Sequence, residues 1–240
     1  MIDITPDDFT YLAETEKRVC GFRLRRYHTN THILIITIPT DIHEKLHGEL
    51  YQVYMEKIGQ MGLRKSWTFI GATTLRAQGH PGGDGGESDS SGGPRPERLG
   101  KGSWPTLIIE SGTSESLSEL HRDMRWWFAA SQHQVKIVVL VKFDHRQEAI
   151  LLERWEEGPA NLRLGATTTR QAAVLQPVIR QQINITQNAA TSPVSYHVTR
   201  GALVLPFHLL FLRAPGPQGH DVIFSIEDLK EYAENVWAVV

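Results

Sequence analysis

The chain has 240 residues, 40% of them hydrophobic, with 25 basic and 27 acidic side chains and a formal net charge of -2. That length buries one large core, or one domain with an appended unit. The near-neutral charge excludes a whole-molecule field that would draw the chain onto nucleic acid or an anionic membrane, so any nucleic-acid contact needs a local basic groove. A single cysteine, Cys20, excludes an intrachain disulfide and a four-thiolate zinc site, and fits an intracellular setting, cytoplasm or nucleus. The opening MIDITPDDFTYLAETEK has no basic n-region or apolar h-region, and no apolar run is long enough to span a bilayer; no membrane association is expected.

In chain order, Gly21 to Tyr27 and His32 to Ile38 read as two antiparallel strands around the turn His28-Thr29-Asn30-Thr31. Thr40 to Met61 is the clearest helix: Asp41 and Glu44 form a capping box, Ile42, Leu46, Leu50, Val53 and Met61 make one apolar face, and Gly62 stops it. At 100° per residue Glu49 falls at the border of that face and Glu44 on the far side, so Glu49 is the one expected to reach inward. His43 and His47 stand at i, i+4, but with no third ligand nearby in sequence they read as a solvated helix face. Trp67 to Ala77 reads as a strand bent at Gly71. Gln78 to Gly102 is rich in Gly, Pro, Ser and charge, without apolar periodicity, and is expected to be a long flexible loop. Its acids Asp84, Glu87 and Asp89 crowd together at a spacing that fits no EF-hand.

Thr106 to Ile109 is a β-favouring run that delivers one carboxylate, Glu110, to its end; ligands gather at the carboxyl ends of strands in α/β proteins. A glutamate there also serves simply as a cap or a solvated edge. Ser114 or Ser116 caps the following helix, with Glu119 completing a box for Ser116, and Leu117, Leu120, Met124, Trp127 and Phe128 form its buried stripe. Trp126 points away from that stripe, which calls for cover from another segment or a protein partner. Gln134 to Phe143 is continuous enough in β-branched residues to be a central strand buried on both faces, bracketed by Lys136 and Lys142. Ala149 to Trp155 is the next strand. Beyond it, QAAVLQPVIRQQ reads as helix-like around Pro177, and Ile183 to Ile185 as the approach to a short strand. Tyr196 to Thr199, Ala202 to Leu205 and His208 to Leu212 read as strands, as does Val222 to Ser225, with Ser225 capping a last helix. Residues 158–240 are therefore expected to form an α+β extension packed on a core at 19–157.

The strand WPTLIIESGTSES, the helices HEKLHGELYQVYMEKIGQMGL and LSELHRDMRWWFAAS, the stretch ESDSSGGPRP and the strand pair VKIVVLVKF and AILLERWE together resemble the PD-(D/E)XK, restriction-endonuclease-like superfamily. The closer similarity is to an uncharacterised fungal group with that fold, to which LVLPFHLLF and DVIFSIEDL also bear a likeness. The resemblance implies an α/β fold: a restriction-endonuclease-like core with a mixed central sheet flanked by helices. In active members an Asp and a Glu or Asp on adjacent strands hold one or two Mg²⁺ ions, and a nearby Lys orients the attacking water. Carried over by position, Asp89 matches the first acid, Glu110 the second, and Glu49 the acid that many members place on the first helix. Where the motif has Lys this chain has Gly112, so a basic residue must come from elsewhere; Arg122, Lys101 and Lys136 are the candidates. No GxSxG, P-loop, dinucleotide or HExxH pattern competes with this reading. Two functions stay open: a Mg²⁺-dependent nuclease acting on DNA or RNA, and a catalytically silent nuclease fold serving as a nucleic-acid or protein interaction module.

Overall fold

In a computed structural model the described residues are 3–16, 21–71, 73–79, 83–100, 102–159 and 175–240, the side chains of 15 and 16 excepted. A short helix, α1 (Pro6–Tyr11), precedes β1 (Arg23–His28) and β2 (Ile33–Thr37), which pair antiparallel as expected. Helix α2 (Asp41–Gln60) follows, then β3 (Trp67–Phe69), β4 (Leu75–Arg76), β5 (Gly85–Gly86), β6 (Ser90–Pro94) and β7 (Leu107–Gly112). The chain continues through α3 (Leu117–Ala130), β8 (Ile137–Asp144), β9 (Ala149–Pro159), β10 (Leu175–Asn188) and β11 (Ser195–Thr199). It closes with β12 (Leu203–Leu205), α4 (Phe207–Phe211), β13 (Val222–Phe224) and α5 (Ile226–Trp237).

Seven strands form the main sheet in the order β11-β10-β9-β8-β7-β6-β3, and β2-β1-β5-β4 form a smaller one. In the main sheet β7 and β8 run parallel, with Glu110 opposite Leu140 and Gly112 opposite Lys142. Their crossover is α3. Side-chain alternation divides the core: Leu107 and Ile109 of β7 and Val139 and Val141 of β8 pack on the α2 side, while Ile108, Val138 and Leu140 pack under α3. The continuous apolar run of β8 is thus buried on both faces, as its composition requires. Capping boxes at Ser116–Glu119 and Ser225–Asp228 start α3 and α5, while α2 is capped by the Thr40 side chain, which accepts from the His43 N–H, and not by Asp41.

Trp67 to Ala77 forms not one bent strand but two, β3 in the main sheet and β4 in the smaller one, and three further segments differ from their sequence reading. Residues 78–102 hold a fully buried strand, β6, between β3 and β7. The run SSGGP carries no apolar signal because what this position needs is smallness: a Cβ on Gly92 would meet the Trp67 indole nitrogen, lie 2.6 Å from the Tyr51 hydroxyl and 2.8 Å from the Thr68 carbonyl oxygen. The Trp67 N–H donates to that Tyr51 hydroxyl at 2.9 Å. Gly92→Ala is therefore expected to lower stability by about 1–3 kcal/mol through overpacking, read as a shifted denaturant midpoint; an unchanged midpoint would mean that the crossing tolerates a methyl group. Secondly, of the helix-like stretch around Pro177, residues 171–174 lie outside the described residues and the rest belongs to β10, where pairing with β9 overrides local propensity. Thirdly, His208 to Leu212 is not a strand: Phe207–Phe211 is helical and ends at Leu212 in a left-handed conformation. The C-terminal third adds β10 and β11 to the main sheet, and its Ile183, Ile185, Leu229 and Tyr232 join the same buried cluster as Leu46 and Leu50 of α2. Among the described residues no helix is long and apolar enough to cross a membrane.

Candidate active site

The parallel pair β7/β8 and the antiparallel pair β6/β7 bring several acids to one end of the main sheet. Ser90 pairs with Ile109, so Asp89, immediately before β6, arrives beside the Glu110–Ser111 end of β7. Asp89 Oδ2 accepts from the Ser111 N–H at 2.8 Å and the Ser111 hydroxyl at 2.9 Å, and lies 3.4 Å from His43 Nε2. Glu110 projects to the α3 side, where the Trp127 indole N–H donates to Oε1 at 2.6 Å. Both acids are buried, at 8% and 3% exposure, so their protonation is set by neighbours more than by water.

The cations come from β1, which sequence reading did not nominate. Arg25 meets Asp123 Oδ2 at 2.7 Å and Glu115 Oε1 at 3.0 Å. Arg26 is fully buried, its Nε 3.4 Å from Asp123 Oδ1 and its guanidinium carbon 3.5 Å from the Trp126 ring centroid and 4.7 Å from that of Trp127. The cover that Trp126 asked for is thus supplied within the chain, and Arg26 gains stacking in return. The Arg26 Nη1 and Nη2 groups have no hydrogen-bond partner among the described residues. Gly86 lets Arg26 in, since a Cβ there would stand 2.5 Å from Nη1. Arg23 holds both Glu44 carboxylate oxygens at 2.8 Å and donates to the Asp89 carbonyl at 3.0 Å. The alternation of arginines with Phe22, Leu24 and Tyr27 was the available signal, but in sequence it read only as one strand of an antiparallel pair.

The other residues nominated from the sequence fall in different places. Lys136 lies just before β8, where its ammonium donates to the His133 carbonyl at 2.6 Å; the β7/β8 register puts it about four residues, or about 13 Å, from the level of Glu110. Arg122 is on the exposed side of α3. Glu49 turns to Lys45 at 2.6 Å and to Asn235 of α5 at 3.3 Å, away from Asp89. Lys101 lies outside the described residues. The α2 acid nearest this strand end is instead Glu44, reached through Arg23 and the two histidines, and His43 and His47 are buried, not solvated. Lys142, the register partner of Gly112, shares the α3 side with Glu110, and its ammonium donates to the Thr113 carbonyl at 2.6 Å. Asp84 and Glu87 take separate roles, accepting from the Thr29 and Leu24 backbone N–H groups.

Opposed electrostatics separate the two strand-end acids. Burial pushes the Glu110 carboxyl well above its ordinary 4.5, and the Asp89 and Asp123 charges push the same way against Arg26 and Arg25. Burial also acts to raise Asp89, but the hydrogen bond and charge of His43, with His47 and the Ser111 N–H, outweigh it and hold Asp89 below its ordinary 3.8. His43 is raised: burial pulls it down, and Asp89 more than compensates. Burial lowers the Lys142 ammonium.

Because the folded state binds the Glu110 proton more tightly than the unfolded chain, this group favours folding below about pH 4.5 and costs stability as pH rises towards its elevated value. Asp89 works oppositely, its contribution being present above 3.8 and lost as pH falls below that. Glu110→Gln keeps an acceptor for Trp127 and removes the buried charge. The variant's thermal stability relative to wild type should therefore grow as pH is raised above 4.5; a difference independent of pH would contradict the raised affinity.

A mixed sheet with helices on both faces and a parallel pair crossed over by a helix is the restriction-endonuclease-like architecture, and this is the fold of the chain. Among solved structures it is similar to that of a candidate nuclease belonging to DUF820 from Anabaena variabilis, at 13% sequence identity and a TM-score of 0.50, covering 96% of this chain and 99% of the other. At that identity the likeness is one of fold. No family model and no curated protein matches the chain.

Proposed function

We propose that the chain is a divalent-metal-dependent nuclease that hydrolyses phosphodiester bonds of DNA or RNA at the Asp89–Glu110 strand end. The observation that carries this reading is that two buried acids of opposite protonation tendency, Asp89 just before β6 and Glu110 on β7, stand level at one sheet end, on its two faces, within electrostatic reach of each other and with Arg23, Arg25 and Arg26 nearby. Their hard oxygen donors suit Mg²⁺ or Mn²⁺, and a cation would offset both the burial and the repulsion from Asp89 that raise Glu110. When bound, such an ion polarises the phosphate and lowers the pKa of its water.

The chain's own residues do the rest. Ser111 and Trp127 fix one oxygen each of Asp89 and Glu110, so the acids are held before substrate arrives. Lys142 stands one strand over from the position where the superfamily motif has its lysine, on the Glu110 side, and takes that lysine's part. Arg23 and Arg25 border the site from β1 and are the basic side chains there that a polyanion would meet, although Glu44, Glu115 and Asp123 offset much of their charge.

A second reading is favoured by one specific feature. Asp123 is already paired with Arg25 and Arg26, and Arg26 presents two buried donors without a hydrogen-bond partner among the described residues, so guanidinium charge already neutralises an acid next to Glu110 that a metal would otherwise meet. In that reading the fold serves as a binding module. Incubation of wild-type protein with plasmid, single-stranded DNA and RNA in Mg²⁺ or Mn²⁺ separates the two: EDTA-sensitive cleavage is expected, and retention of substrate without cleavage in both metals would favour the second.

A further inference from the structure

We infer that His43, Glu44 and His47 form a binding site for a borderline divalent transition ion of the Zn²⁺ class, distinct from the paired acids above. His43 and His47 lie on adjacent turns of α2, at 3% and 5% exposure. Their Nδ1 and Nε2 atoms, respectively, are buried without a hydrogen-bond partner among the described residues. Both face the same carboxylate oxygen: Glu44 Oε1 lies 3.6 Å from His43 Nδ1 and 3.5 Å from His47 Nε2. Three donor atoms, one from each residue, fall within 4.8 Å of one another.

These separations are long for hydrogen bonds and right for an ion. Ligands at about 2.0–2.2 Å from a tetrahedral Zn²⁺ stand about 3.3–3.5 Å apart. The opposite ring nitrogens are occupied as they are in metal centres, where an outer acceptor fixes the ring. His43 Nε2 faces Asp89 Oδ2 at 3.4 Å, and His47 Nδ1 meets the Ser90 hydroxyl at 2.9 Å. Two imidazole nitrogens and one carboxylate suit Zn²⁺, Co²⁺ or Ni²⁺ and are a poor match for Mg²⁺, which takes oxygen ligands. With three protein donors the fourth position is open, and the half-exposed Glu44 places the site within reach of solvent. No donor is shared with the proposed nuclease site, since Asp89 only backs His43. Arg23, which pairs with Glu44, is the competitor that sets the affinity.

The test is a titration of full-length, chelator-stripped protein with Zn²⁺ by calorimetry and with Co²⁺ by visible absorption. One ion per chain is expected to resist displacement by equimolar Mg²⁺ and to show the absorption of a low-coordinate Co²⁺ centre, apart from any weaker ion held by the paired acids. His47→Gln should abolish saturable binding. Glu44→Gln, at a part-exposed position that does not threaten folding, should weaken it by at least tenfold, while Glu110→Gln should leave it unchanged. Absence of saturable binding in the wild type, equal binding by wild type and Glu44→Gln, or loss in Glu110→Gln would each overturn the proposal. Cleavage activity plays no part in this readout, so it stands or falls separately from the nuclease reading.

Discussion

Glu110→Ala is expected to lower metal-dependent cleavage by at least about a hundredfold, since a carboxylate that helps to hold a catalytic ion contributes several kcal/mol at the transition state. The physical setting makes this residue hard to replace. It is buried at the carboxyl end of β7, its Oε1 is oriented by Trp127, and burial, with the charges of Asp89 and Asp123, raises its proton affinity. Lys142→Met should also lower cleavage while leaving the acids in place, because its side chain lies at the β8 position opposite Gly112. Initial rates under saturating Mn²⁺ check both variants, with circular dichroism to confirm folding. Wild-type rates in Glu110→Ala would move the chemistry elsewhere in the molecule.

Arg26→Ala carries the largest expected effect on stability, a loss of about 3–5 kcal/mol, because removal of one member of a buried charge cluster leaves its partner poorly compensated. Among the described residues Asp123 would keep only Arg25, Glu110 would lose an opposing positive charge, and the faces of Trp126 and Trp127 would lose their cover. Arg26→Lys is expected to restore little, since an ammonium has no planar face to lay on the indole and is more strongly hydrated. Chemical denaturation measures both. A midpoint for Arg26→Ala within a few tenths of a molar of wild type would show that the guanidinium is a spectator.

These two sites show where the sequence was readable. β8 announced itself through IVVLV, and α3 through the Ser116–Glu119 box and its apolar stripe, because burial against both faces of a sheet leaves a strong periodic signature. Glu110 was legible as a polar residue closing an apolar strand. β6 was not: its serines and glycines answer to the close passage of Trp67 and Tyr51, and small residues selected for clearance look like a loop. The histidines of α2 were misplaced for a related reason. Their burial is satisfied by Asp89 and Ser90, residues more than forty positions away, and helical periodicity alone carries no record of such partners. The basic residues of the site were hidden likewise, since Arg25 and Arg26 reach Asp123 only after β1 pairs into the smaller sheet.

The central claim is tested most directly by incubating labelled duplex DNA and RNA with wild-type protein and with Glu110→Ala side by side, in Mn²⁺ and in EDTA. The account predicts cleavage by the wild type in Mn²⁺ alone, falling at least about a hundredfold in the variant. No cleavage of either nucleic acid by the wild type, or cleavage that persists undiminished in Glu110→Ala, would contradict it.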